Sequence, residues 1–366
     1  MKARLRQTSA AIAIAIGLGA ASGTAHATIT FTTFVSGPDI AAVEGYNSTI
    51  AFNYAGNKFV GSVYFGANNL QLFSTDLNGG NVQKFGSPMP SGGGEVVIGA
   101  SLGQAGFAKG DIYAGPNNNI YAYANSGGVP SLFGSTDDGS VVRQIFFDPG
   151  SSFGGKMLVS TSSGHILSFD SAGNRTLVAN IGTDTEGMDI ASTNYGKYAG
   201  QLLVASEGTG QVHAVTATGT VTTLKSSAGG NVFVPAAETV SVVPLNLGAS
   251  GNPLEGFYVA NYPVDIQKAD ASQFTGLLGD AIVTSEDGSN SRVWDLKYNG
   301  DTLDTFTVSL VGNMPNQSED GIFVTAERIA DVSTPEPASL ALLGLGLAGL
   351  ATIRRRRTPS PRPPSR

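Results

Sequence analysis

A repeat of 45 residues constrains the fold of this 366-residue chain more than any other feature. Three similar segments begin at Gly110, Gly155 and Gly200. Each contains a run of β-forming residues, a short polar turn, a second run, a turn that combines Asp or Thr with Gly, and a third run, and a further apolar run precedes each segment. Four short strands at this period are typical of a β-propeller blade, which buries its faces only by packing against neighbouring blades.

The number of repeats sets the size of the ring. Weaker copies begin near Ser62 and Gly279, and a disturbed unit lies between Val240 and Ala260. Residues 28–333 have room for six or seven units, and the visible copies favour six. The predicted fold class is therefore all-β, a β-propeller of six blades, with seven as the alternative. A pair of β-sandwiches would also give many short strands, but it would not give a constant step.

The two ends of the predicted propeller should meet. A strand-like stretch from Ser318 ends the propeller region, and another covers Ile29 to Val35. We expect these two stretches to pair and close the ring, since closure removes the two free sheet edges.

The composition narrows the chemistry available to the chain. Charged residues make up 13% of the sequence, about half the usual ~25%, and there are 49 glycines, which disfavours a helical bundle. There is no cysteine, which excludes disulfides, thiolate zinc sites, iron–sulfur clusters and a cysteine nucleophile.

The N-terminus has the three parts of a secretory signal peptide. Residues 1–27 contain a basic start, an apolar run from Ala10 to Ala21 and the small-x-small sequence Ala25-His26-Ala27. The apolar run, which predicts a signal helix, is too short to span a bilayer. We expect signal peptidase to remove residues 1–27 as the chain is exported across the inner membrane.

Residues 334–357 combine a proline-rich motif, an apolar run and a basic cluster. The run from Ala338 to Ile353 has 16 residues and predicts a transmembrane helix slightly shorter than a stable span, which suits a transient anchor. The prolines end the preceding structure, and the arginines hold the helix end on the cytoplasmic side. The motif and cluster residues are Pro335, Glu336, Pro337, Arg354, Arg355, Arg356 and Arg357.

This segment resembles the PEP-CTERM sorting signal of Gram-negative envelope proteins. In that family an exosortase recognises the Pro-Glu-Pro motif, cleaves near it, and releases or re-attaches the protein outside the inner membrane. The resemblance implies an exosortase as partner, a transient stay in the inner membrane, and a final place in the cell envelope or outside the cell. An ordinary single-span tail is the alternative, but it leaves Pro-Glu-Pro unexplained. Residues 358–366 form a basic tail whose composition predicts disorder.

The basic residues are concentrated in these two ends. Residues 28–334 contain 12 Lys and Arg against 27 Asp and Glu, a net charge of −15, whereas the whole chain carries −7. Such an acidic surface repels nucleic acid and anionic lipid, so no nucleic-acid partner is expected.

Four glutamates recur at or just ahead of the start of the expected inner strands. Inner strands line the channel of a propeller, so these carboxylates should gather at one end of the axis, where their oxygens suit Ca²⁺ or Mg²⁺. Acids that only cap turns and keep this face hydrated are the alternative. The predicted metal ligands are Glu186, Glu95, Glu238 and Glu319.

The repeats resemble NHL-type and gluconolactonase-like propellers. Glu186-Gly187 is similar to the Glu-Gly pair that supplies a metal ligand in the gluconolactonase-like family. That family also needs two asparagines and a catalytic aspartate at the channel mouth. Asn261 and Asp265 are the candidates, but neither lies in a matching motif.

No complete catalytic constellation appears in the propeller region. Ser101 lies in a Gly-x-Ser-x-Gly pattern, but a Gly-rich stretch rather than a helix follows it. His165 and His213 lack the third ligand of a zinc site. The sequence therefore favours a non-enzymatic exported protein that binds extracellular polysaccharide or another matrix component. The alternative is a divalent-metal-dependent lactonase or other hydrolase of the gluconolactonase-like type.

Overall fold

The computed structural model describes residues 28–64, 70–286 and 291–330, and they form a six-bladed β-propeller. The predicted fold class and the favoured blade number are therefore confirmed. The predicted signal peptide, transmembrane helix, sorting residues and basic tail lie outside the described residues.

Strands make up most of the described residues. In chain order they are β1 (Thr32–Val35), β2 (Thr49–Tyr54), β3 (Phe59–Val63), β4 (Leu72–Thr75), β5 (Gln83–Phe85), β6 (Val96–Ala100), β7 (Ile112–Pro116), β8 (Asn119–Tyr123), β9 (Ser131–Ser135), β10 (Val142–Phe147), β11 (Met157–Thr161), β12 (His165–Phe169), β13 (Arg175–Asn180), β14 (Met188–Ile190), β15 (Leu202–Ser206), β16 (Gln211–Val215), β17 (Val221–Thr223), β18 (Lys225–Ser226), β19 (Ala237–Val242), β20 (Gly256–Tyr262), β21 (Asp265–Asp270), β22 (Ala281–Ser285), β23 (Arg292–Tyr298), β24 (Thr305–Asn313) and β25 (Gln317–Val324). The α-helices are α1 (Gly37–Glu44) and α2 (Ala326–Ala330), and 3₁₀ turns cover Thr193–Tyr198 and Ala271–Phe274.

Blades one to four follow the chain directly. They consist of β2 to β5, β6 to β9, β10 to β13 and β14 to β17, each an antiparallel sheet whose strands run in order from the axis to the rim. The second strands of blades two, three and four begin at Ile112, Met157 and Leu202, which are 45 residues apart. The repeat seen in the sequence is therefore the repeat of the blades.

The recurring Asp or Thr has a local cause in the turn between the third and fourth strands. In blade three, Asp170 Oδ1 accepts hydrogen bonds from the N–H groups of Ala172 at 3.0 Å and Asn174 at 2.9 Å. Thr216 Oγ1 accepts the N–H of Thr220 at 3.0 Å in blade four. Short polar side chains fix such turns by bonding the backbone ahead of them.

Blades five and six exchange strands. After β19, the innermost strand of blade five, the chain forms β20 and β21 in blade six. It then returns to blade five for β22, β23 and β24, and ends with β25 as the innermost strand of blade six. The short strand β18 pairs in parallel with β24 at the rim of blade five. The unit that looked disturbed in the sequence therefore contains strands of two different blades.

The ring is closed within blade six, but the predicted pairing of its two terminal strands is wrong. β25 pairs with β20 at the axis, and β1 pairs with β21 at the rim, for example through Thr32 opposite Lys268. The physical reason is that the β20–β21 hairpin fills the middle of the blade. The two terminal strands are therefore held at opposite edges of one sheet.

The hydrophobic core lies between the faces of adjacent blades. Phe52 and Phe59 of blade one stack at a ring-centroid distance of 4.8 Å, and Phe59 lies 4.8 Å from Tyr258 of blade six. Between blades two and three, Phe107 contacts Phe147 edge to face at 5.1 Å. Burial of these large rings is what joins the blades into one ring.

Candidate functional site: the two ends of the channel

The six innermost strands surround the axis and all run in the same direction. They are β2, β6, β10, β14, β19 and β25, and each packs beside the next, with β25 beside β2. Their first residues line a small cavity at one end, and their last residues line a larger cavity at the other. We call the first the acidic end, lined by Glu95, Arg143, Glu186, Glu238 and Glu319, and the second the cavity end, lined by Tyr54, Asp189, Arg328 and their neighbours.

All four predicted glutamates line the acidic end. Glu95 and Glu186 come one and two residues before β6 and β14, whereas Glu238 and Glu319 are the second and third residues of β19 and β25. The structure thus brings the four side chains to one place. Their role as metal ligands stays a prediction.

Arg143, which the sequence reasoning did not single out, lies among these carboxylates. Its guanidinium contacts Glu95 Oε2 at 2.7 Å, Asp184 Oδ2 at 2.8 Å and Glu186 Oε1 at 3.1 Å. The last contact lacks hydrogen-bond geometry, so the buried Oε1 of Glu186 accepts no hydrogen bond from the described residues. Arg143 is the one basic residue in the six innermost strands, and that was the signal available in the sequence.

Three more carboxylates join the acidic end. Asp184 precedes β14, Glu207 lies in the turn after β15, and Glu286 follows β22. Carboxylate oxygens of Asp184, Glu186 and Glu207 lie within 4.8 Å of one another, as do those of Glu207, Glu238 and Glu286. Turns between second and third strands therefore reach the same face as the starts of the innermost strands, a relation that the sequence pattern alone did not reveal.

The crowding of acids changes their proton affinity. Burial, followed by neighbouring carboxylates, raises the pKa of Glu238 and of Glu319 well above the usual value, and burial does the same for Glu186 although Arg143 opposes it. The pKa of Glu286 rises to about 7 for the same reasons. Burial lowers the pKa of Arg143, but Glu186, Asp184 and Glu95 outweigh it, so Arg143 stays charged. Such a cluster binds protons, the internal guanidinium, or an added cation.

Gly187, in the predicted Glu-Gly pair, has a packing role. Its N–H donates to the carbonyl oxygen of Glu238 at 2.7 Å, and an added Cβ would lie 2.4 Å from the backbone nitrogen of Val240. Blades four and five approach so closely here that only glycine fits. The pair therefore has a structural explanation that does not involve a metal.

The remaining candidates from the sequence lie outside the acidic end. Asn261 and Asp265 are buried in blade six, where Asn261 Nδ2 donates to Asp265 Oδ1 at 2.6 Å, and neither lines the channel cavities. Ser101 directly follows β6, lines the cavity end, and is followed by a loop without a helix. His165, in β12, contacts Asp138 in the connection between β9 and β10 at 2.6 Å, and His213, in β16, contacts Thr223 in β17 at 3.1 Å.

The cavity end encloses about 860 Å³. Asn53, Tyr54, Ser101, Ser241 and Ile322 illustrate its mixed polar and apolar lining, and Leu245, half exposed, stands at its mouth. Gln144 and Asp320 line both cavities and so lie between them. Burial raises the pKa of Asp320 to about 7. A cavity of this size with converging polar groups can accept a small molecule or the end of a chain.

The described residues contain no helix long and apolar enough to cross a membrane. The model of the PEP-CTERM protein-sorting motif matches residues 333–357, beyond the described region. This is the segment that the sequence analysis assigned to sorting. The chain is therefore a six-bladed β-propeller that carries a PEP-CTERM sorting motif. The motif implies export, association with the cell envelope, a C-terminal transmembrane segment and processing by an exosortase.

No curated protein matches the chain. Among solved structures, it is similar to a protein provisionally assigned as a gluconolactonase, with 11% identity, 82% of this chain and 86% of that chain covered, and a TM-score of 0.49. It is similar to a Bacteroides thetaiotaomicron protein of unknown function, with 12% identity and a TM-score of 0.48 over 80% of this chain and 66% of that chain. It is also similar to virginiamycin B lyase from Staphylococcus aureus, with 10% identity, 77% and 88% covered, and a TM-score of 0.42. At such identities no activity is transferred.

Proposed function

We propose that this protein is an exported, exosortase-processed binding protein that holds a saccharide component of the extracellular matrix at the cavity end of its channel. The observation that carries the proposal is the cavity of about 860 Å³, lined by amide, hydroxyl and charged side chains. Saccharides are bound by many hydrogen bonds together with apolar contacts, and this lining offers both kinds of group.

Support also comes from the hydrogen-bonding state of the lining. Tyr54 is 5% exposed, and its hydroxyl has no partner among the described residues. A buried polar group without a partner costs free energy, about 1–3 kcal/mol, that a bound ligand can recover.

Ligand binding is tested with the purified protein against an array of bacterial polysaccharides and their component sugars. We expect binding that a mutation at the cavity end, Ser241→Trp, blocks, and binding that the rim substitution Leu177→Trp leaves intact. Binding by neither form, or binding that survives Ser241→Trp, would contradict the proposal.

Sorting is tested by cell fractionation. Replacement of Pro335, Glu336 and Pro337 with alanine should leave an unprocessed form in the inner membrane. Replacement of Pro363 and Pro364, which lie after the matched motif, serves as the control and should leave processing unchanged. Normal processing of the first variant would refute the role of the motif.

A second candidate function is divalent-metal-dependent hydrolysis, for example of lactones. The two carboxylate trios at the acidic end favour it, because Ca²⁺ and Mg²⁺ prefer oxygen ligands. Arg143 weighs against a metal at the first trio, since its guanidinium already contacts Asp184 and Glu186 there. Metal analysis of the purified protein, together with lactone hydrolysis by the Glu186→Gln variant, distinguishes the two functions. Absence of a stoichiometric metal and of any effect of the variant would end the hydrolase hypothesis.

A further inference from the structure

The cavity end contains a cation whose side chain has no acidic partner at contact distance. Arg328 lines the cavity, and among residues 28–64, 70–286 and 291–330 its guanidinium makes no ion pair and no hydrogen bond. Burial lowers its pKa, but an arginine keeps its charge throughout the physiological range. Arg328 is partly buried, and a partly buried charge without a partner is costly, so the site favours an anion.

Arg328 is fixed at this position by the two residues that precede it in α2. It belongs to α2, which follows β25 directly at the mouth of the cavity. The N–H of Ala326 donates to Glu255 Oε1 at 3.1 Å, and Asn246 Nδ2 donates to Glu327 Oε1 at 2.9 Å. These bonds join α2 to neighbouring loops, so Arg328 does not depend on a ligand to hold it in place.

The nearby acid that could neutralise Arg328 is occupied elsewhere. Asp189 accepts the N–H of Ile190 on one oxygen and that of Val242 on the other, both at 2.7 Å. The bond from Val242 ties the innermost strands of blades four and five together. Asp189 and Arg328 attract each other through the cavity without forming an ion pair.

Tyr54 supplies a second, independent group aimed at a ligand. Burial raises its pKa, so the hydroxyl keeps its proton and remains a donor. The positive charge of Arg328 acts in the opposite direction and lowers the pKa of Tyr54. The two groups therefore lie in one part of the cavity. The guanidinium and the phenol hydroxyl can both donate hydrogen bonds, and neither has an acceptor here. A carboxylate, which accepts hydrogen bonds on two oxygens, is suited to both groups.

From this arrangement we infer that the cavity binds a hydroxylated monocarboxylate, a uronic-acid unit, with its carboxylate on Arg328 and Tyr54. The inference rests on the proposed saccharide-binding function and names the class of sugar. The acidic surface of the protein does not prevent this, because charges farther than about 8 Å are largely screened at physiological salt. The hydroxyl groups of the ligand face Asn53, Ser101 and Ser241, which also line the cavity.

The test is calorimetric titration of the full-length protein with D-glucuronate and with D-glucose, which differ in the carboxylate. We expect glucuronate to bind about tenfold more tightly, the effect of one charge-assisted hydrogen bond. Arg328→Gln should abolish this difference, and Tyr54→Phe should weaken glucuronate binding about threefold or more. Arg292→Gln, the same change at an exposed strand residue outside both cavities, is the matched control and should change nothing.

The outcomes separate the two proposals. Equal binding of both sugars, unaffected by Arg328→Gln, would overturn the uronate inference and leave saccharide binding standing. Binding of neither sugar nor of any oligosaccharide would overturn both. If Arg328→Gln fails to fold, Arg328→Lys replaces it. That variant keeps the positive charge but cannot form the bidentate hydrogen bonds of a guanidinium to a carboxylate. It should therefore retain a reduced preference for glucuronate.

Discussion

Replacement of Arg143 by glutamine should destabilise the propeller in a pH-dependent way. The substitution removes the one cation that contacts Glu95, Asp184 and Glu186, at distances of 2.7 to 3.1 Å. Glu186 is almost fully buried, whereas the side chains of Arg143 and Asp184 are about a quarter exposed. Removal of one partner from a fully buried ion pair costs 3–5 kcal/mol, and the partial exposure places the expected loss near the lower limit, about 3 kcal/mol at pH 8.

The loss should shrink in acid. Without Arg143, the attraction that opposes the effect of burial on Glu186 is lost, so Glu186 takes up its proton at a higher pH in the variant. Glu186 is therefore neutral more often at pH 5 than at pH 8 in the variant, and the missing cation costs less at pH 5, about 1 kcal/mol. The unfolding free energy of the variant should therefore fall more steeply between pH 5 and pH 8 than that of the unchanged protein.

Urea unfolding at pH 5 and pH 8, followed by circular dichroism, measures the effect. Arg175→Gln is the matched control, because Arg175 pairs with a single carboxylate, that of Asp137, at 2.9 Å on the surface. Its loss should cost less than about 1 kcal/mol at both pH values. Equal losses for the Arg143 variant at both pH values, or a loss no larger than that of the control, would refute the electrostatic reasoning.

Three further predictions concern single positions. Gly187→Ala should cost more than about 2 kcal/mol in urea unfolding, because its Cβ would lie 2.4 Å from the backbone nitrogen of Val240; a neutral effect would mean that the blades can separate there. Burial raises the pKa of Asp295 to about 7, so the folded state holds more protons than the unfolded state, and stability should fall as the pH rises from about 4 to 7. Asp295→Asn should flatten that slope in thermal unfolding across this range, and an unchanged slope would assign it to other acids. Tyr54→Phe should leave unfolding unchanged or raise its free energy by about 1 kcal/mol, since it removes a buried hydroxyl without a partner; a clear loss would show that the hydroxyl is bonded in the free protein.

The blades that follow the chain directly could be predicted from the sequence, and the exchanged blades could not. The strands at Ile112, Met157 and Leu202 repeat because the second and third strands of blades two to four all have five residues, and an Asp or Thr turn follows the third strand in blades three and four. Repetition shows that a blade exists, but it does not show which sheet a strand joins. β20 and β21 follow β19 in the chain, yet β20 pairs with β25 and β21 pairs with β1. Contacts between residues more than 50 positions apart therefore determine which sheet these strands join.

The candidate site divides in a similar way. A position at the start of an innermost strand is visible in the sequence, so Glu95, Glu186, Glu238 and Glu319 could be placed together. Glu207 and Glu286 enter the cluster from turns, and Arg143 enters it from a neighbouring blade, so their contacts depend on the ring as a whole. The raised pKa values of Glu186 and Glu238 could not be predicted from the sequence, because their main cause is burial, which only the folded structure shows.

The course of the chain gives the two ends of the channel different surroundings. α2 ends at Ala330 beside the cavity end, and the sorting motif begins at residue 333. In a form held by the apolar run of the motif, the tether would leave the propeller from the cavity end, so we predict that this end lies nearer the membrane than the acidic end. An acidic surface that faces away from an anionic membrane avoids repulsion. If the cavity binds the proposed matrix saccharide, separation of the propeller from that anchor should make the cavity more accessible to a polymer, so we predict that processing increases binding.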